Sequence, residues 1–166
     1  MKALSNGVHQ LTEIGLLTAL ITISGAVKLP GLMPGTEFQL SAPLAVAICA
    51  VFGFAKYIMA GILSSLLGLV LGTQNLLNVI IALVFRLTVG GVLTIFGTAG
   101  PVIVVAGPIG SFTARLLLGG VIGKAAVPLI IAALPGAGYT ALAAWPLTIM
   151  LNRVKKTAEK RSKNAV

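Results

Sequence analysis

The sequence predicts an all-α membrane protein, a bundle of six transmembrane helices with both termini in the cytoplasm. Three observations predict it. Of 166 residues, 57% are hydrophobic and 9% charged, with a mean hydropathy of +1.06. Soluble domains carry about 25% charged residues, and a soluble fold this apolar could not cover its own core. From Leu11 to Leu151 one apolar run follows another, with room for six spans at roughly 20 to 23 residues each. The apolar residues run continuously instead of alternating, and Gly and Ala are abundant, which favours packed helices over a β-barrel.

Charge placement sets the orientation. The formal charge is +9, and six of the twelve basic residues (Arg153, Lys155, Lys156, Lys160, Arg161, Lys163) lie in the last fourteen positions. A basic segment directly after an apolar run is retained in the cytoplasm and meets anionic head groups of the bilayer. It is a topology signal rather than a nucleic-acid surface. The chain therefore divides into a six-helix transmembrane domain, 1–152, and a basic cytoplasmic tail, 153–166.

The first helix is expected at about 11–27, where Gly15 and Ala19 form a small-xxx-small pair that allows close approach of another helix. The stretch Lys28–Pro43, with three prolines and two glycines, is an outward loop. The second helix follows at about 40–54 with Pro43 in its first turn, where a missing N–H costs little. Phe52–Tyr57, carrying Lys56, is an inner turn. The third helix is expected at about 57–71, with Ala60, Ser64 and Gly68 on one face. GTQN at 72–75 is an outer turn, and the fourth helix covers about 76–97.

Two registers fit the last third. In the first, 98–109 lies near the inner surface, the fifth helix is about 110–134, PGAG at 135–138 is the outer turn, and the sixth helix is about 139–153. In the second, the helices are about 101–122 and 125–151, with a turn at Gly123–Lys124 and a kink at Pro135. The first is preferred, because Pro-Gly followed by Ala-Gly is a strong breaker and Arg115 then falls near the cytoplasmic end. No long-period repeat is present, so a duplicated transporter half is not indicated.

The chemistry is sparse. There is no aspartate; the acids are Glu13, Glu37 and Glu159, and His9 and Cys49 stand alone of their types. This excludes a Walker loop, a dinucleotide fingerprint, a metal-ligand cluster and a Ser-His-Asp set. No enzyme, cofactor or resident metal is expected, and any active transport must draw on a gradient or a partner. Charges at membrane depth cost about 2.5–3.5 kcal/mol each on insertion scales, so they face a cavity or a partner. Arg86, mid-helix, is the deepest. Asn75 and Asn78 lie near its face at helical spacing, which gives either a wet pocket open to the outside or an internal pair with a carbonyl or Glu13. Lys124 falls in the outer half in the first register and in a loop in the second. Glu13 is expected in the first turn of the first helix, where a carboxylate is favoured by the helix N-terminus. Tyr139 follows the proposed outer turn and is a candidate for the pocket rim.

Six spans, the Gly15-xxx-Ala19 pair, a Pro-rich loop running through TEFQLSAPLAV into the second helix, and GILSSLLGLVLG together resemble the substrate-binding S-components of energy-coupling factor (ECF) transporters. These are bacterial cell-membrane proteins that capture vitamins and other micronutrients. The resemblance implies that the first loop covers an outward pocket, and that Gly15 and Ala19 pack on a transmembrane coupling subunit that joins two ATPases. It implies that the S-component topples in the membrane to release its substrate. Metal uptake is not implied, since the metal-importing members begin Met-His and this chain begins Met1-Lys2. Substrate capture is assigned to Glu37 and Gln39 of the loop, Asn75, Asn78, Arg86, Lys124 and Tyr139. If Arg86 and Lys124 both reach the pocket, the substrate carries a carboxylate or phosphate. A stand-alone, gradient-driven transporter or channel and a non-transporting scaffold subunit are the competing classes.

Overall fold

The structure, a computed structural model, describes residues 2–30, 37–122 and 126–164. Among the described residues there are six helices: α1 (Lys2–Ala26), α2 (Ser41–Phe52), α3 (Phe54–Val70), α4 (Leu76–Phe96), α5 (Gly100–Ile122) and α6 (Ala126–Asn164). The loop after α1 adds an element absent from an all-α expectation. Strands β1 (Lys28–Pro30) and β2 (Glu37–Gln39) pair antiparallel, with Leu29 opposite Phe38. Residues 31–36, the centre of the expected lid, lie outside the described residues.

α2 is the axis of the bundle. Every residue from Pro43 to Cys49 is buried, and α1, α3, α4, α5 and α6 all pack on it. Its end is set by Gly53, whose φ of 86° breaks the helix and starts α3 one residue later. The expected inner turn, Phe52–Tyr57, is thus reduced to a single glycine. Helices then alternate in direction. The hairpin strands, the α3–α4 turn and the end of α5 share one end, while Gly53, the α4–α5 turn and the C-terminal half of α6 share the other.

Two expectations are corrected. α1 begins at Lys2, nine residues earlier than read, so Glu13 sits mid-helix and not in a first turn. It pairs with Lys56 at the base of α3. The preferred register of the last third is also wrong, and the second register is the one found. Gly107-Pro108-Ile109-Gly110 lies inside α5, and Pro135 and Pro146 lie inside α6. Prolines are tolerated within helices of this kind because neighbours and local adjustments satisfy the freed backbone groups. The glycines serve packing. A methyl on Gly107 would strike Thr140 of α6, and one on Gly110 would come within 2.7 Å of Val89 of α4. α5 is thereby seated between its two neighbours. The basic segment from Arg153 continues α6 as helix to Asn164, giving 39 residues, about 58 Å in length.

α4 and α5 each contain 21 residues long and apolar enough to cross a membrane, with only 22% and 28% of those windows buried inside the protein. A core helix of a soluble domain would be mostly buried. Large apolar side chains also face outward, among them Leu11, Val70, Ile95 and Leu142. The chain is therefore a helical, membrane-associated protein. α2, with 12 residues, is about 18 Å long against about 30 Å of hydrocarbon, so not every helix matches the expected full span.

Candidate functional site

The strongest local feature is a buried cation held, among the described residues, without a carboxylate. Arg86 lies midway along α4 and is 6% exposed. Its side chain crosses to α3, where Nη1 donates to Ser65 Oγ at 2.7 Å. Gly61, one turn before Ser65, makes the crossing possible, because a Cβ there would stand 2.5 Å from Arg86 Nε and 2.6 Å from Cδ. A guanidinium has five N–H donors in a fixed fork, and the Ser65 bond uses one.

Arg86 borders a cavity of about 460 Å³ at the hairpin end of the bundle. Ile21, Ala45, Leu77, Ile81, Ala82 and Phe85 supply its apolar wall, with Gln74, Asn78, Ser111, Arg115, Tyr139 and Thr140 among the polar groups. Among the described lining residues there are two arginines and no carboxylate. The volume and the mixture of an apolar wall with a few polar groups match a small-molecule site.

Arg86 both borders the cavity and bonds internally to Ser65, and of the internal partners expected for it, Glu13 is not the one found. Glu13, the acid that could have paired with it, is taken by Lys56 at the opposite end of the bundle. Asn78 and Tyr139 line the same cavity. Asn75 does not border it; its side chain accepts from the Asn78 backbone N–H at 2.8 Å and caps α4, a role well suited to Asn. Glu37 and Gln39 lie in β2, at the cavity end. Lys124 lies outside the described residues. Gly15 and Ala19 are on the exposed face of α1, and a Cβ on Gly15 would meet nothing within 4 Å.

Two of the lining residues that escaped the sequence reading are Arg115 and Gln74. Arg115 reaches the cavity because α5 spans 100–122; the register preferred above made it an inner anchor. Gln74 was taken as part of a turn. It folds back on α3, where Gly68 leaves room for it: a Cβ at Gly68 would lie 2.9 Å from Gln74 Cδ. The backbone N–H groups of Thr73 and Gln74 both donate to Gly68 O at 3.0 Å, which fixes the turn. A glycine seven residues after Gly61 on α3 was the available signal.

Protein BioX of Lysinibacillus sphaericus is 49% identical over 148 residues, which is 89% of each chain. No family model matches this chain, and no solved structure matches it.

Proposed function

The chain belongs to the family of Protein BioX, and on that premise we propose that it is the substrate-capture subunit of an ECF-type importer of vitamins or related micronutrients. It binds a small anion from outside the cell membrane and delivers it with a transmembrane coupling subunit and two ATPases. The observation that carries this reading is Arg86, a buried guanidinium on a cavity of about 460 Å³ whose described lining holds no carboxylate. A charge so placed is costly unless something anionic meets it. Asn78 and Tyr139 complete the first contacts. The hairpin carrying Glu37 and Gln39 serves as the lid. The exposed α1 face with Gly15 and Ala19 is the contact for the coupling subunit. The chain itself is not an enzyme and needs no cofactor, because ATP is used by its partners.

The test is uptake of labelled carboxylate vitamins, biotin among them, into vesicles that hold the purified chain with or without the coupling subunit and ATPases. ATP-dependent uptake only in the complete assembly is expected. Gradient-driven uptake by the chain alone would overturn the reading in favour of a secondary transporter.

A further inference from the structure

The same cavity has a second polar end. Gln74 borders it, its amide oxygen is buried, and that oxygen has no hydrogen-bond partner among the described residues. A buried amide oxygen without a partner is unfavourable, and the last torsion of a glutamine is soft enough for the amide to turn towards a ligand. Arg86 and Gln74 are both pressed onto α3, at Gly61 and Gly68. Those glycines are seven residues apart on one helix, so the two polar groups are anchored roughly 10 Å apart along it. Between them the α4 wall is mainly apolar, made by Leu77, Ile81, Ala82 and Phe85, with Asn78 the polar exception beside Gln74.

We infer that the ligand is two-ended: a carboxylate at Arg86, an apolar middle, and a neutral N–H or O–H donor at Gln74. This rests on the anion-binding reading above and adds the far end. The glycines of α3 are positioning residues in this arrangement, since a side chain at either would displace the group that recognises one end.

Octanoate and 8-hydroxyoctanoate test it. Both carry the carboxylate and the apolar chain, and the second alone carries the donor. Titrated into the protein in nanodiscs, with empty nanodiscs subtracted, 8-hydroxyoctanoate is expected to bind about tenfold more tightly, the worth of one hydrogen bond to an otherwise unpaired buried group. Gln74→Leu should reduce the ratio of the two affinities to about one, and Gly68→Ala, which displaces the Gln74 side chain by another route, should do the same. Arg86→Gln should weaken both probes and keep the ratio. Equal binding of the two probes to the unmodified protein, as a water resident at Gln74 would produce, overturns the two-ended ligand and leaves the anion reading standing. Binding of neither probe overturns both.

Discussion

The two ends of the bundle treat their charges in opposite ways. At the end formed by Gly53 and the C-terminal half of α6, each described cation facing the core is matched. Lys56 pairs with Glu13, and Lys155 donates to Val51 O at 3.0 Å while lying over the Phe52 ring. Lys155 thereby closes the C-terminus of α2, where carbonyls lack helical partners and a cation is favoured. At the hairpin end, Arg86 is more deeply buried than Lys56, yet its one hydrogen-bond partner among the described residues is the Ser65 hydroxyl. One end is a finished structural joint. On the function proposed above, the other is a joint with a place left for an anion, and that contrast would separate a charge that only holds helices together from one that also binds.

Substitutions at the two ends should separate accordingly. The largest effect is expected from Arg86→Gln, which should lower octanoate affinity about a hundredfold, as loss of a charge-assisted hydrogen-bond set does, with little loss of melting temperature. Gly61→Ala comes next. It drives a methyl into the Arg86 side chain, so binding should fall tenfold or more and stability by about 1–3 kcal/mol, read by titration and thermal unfolding. Glu13→Gln should act on stability alone, by about 1–2 kcal/mol, because it strands the partly buried Lys56. A loss of binding in Glu13→Gln would break the contrast between the ends. Asn75→Ala should cost about 1 kcal/mol through the cap of α4 and leave the probe affinities as they are. Smallest is Tyr57→Phe. Its ring is fully buried and its hydroxyl has no partner among the described residues, so removal should be neutral or stabilising by up to about 1 kcal/mol.

How much of this was legible follows the physics of each signal. Arg86 was legible because a charge in an apolar run has few explanations. The first four helices, the start of α1 and the width of the α2–α3 turn excepted, were legible because their breaks coincide with polar turns or with a glycine at positive φ. The last two were misplaced because Pro-Gly is weighed as a breaker from soluble proteins, whereas here Pro135 and Gly136 continue a helix and Gly107 and Gly110 let helices touch. The hairpin was illegible because three-residue strands carry no periodicity. Asn75 was misassigned because an N-cap asparagine and a ligand-facing one look alike in a turn. Gln74 was missed because its role depends on contact with Gly68, which only the folded chain shows.

The central claim is that Arg86 holds a small anion in the cavity at the hairpin end. Native mass spectrometry of the gently purified protein tests it most directly, with Arg86→Gln and Glu13→Gln beside it. The unmodified protein and Glu13→Gln are predicted to carry a bound small molecule bearing a carboxylate, and Arg86→Gln to be empty. The same molecule retained by Arg86→Gln, or lost from Glu13→Gln instead, would contradict the account.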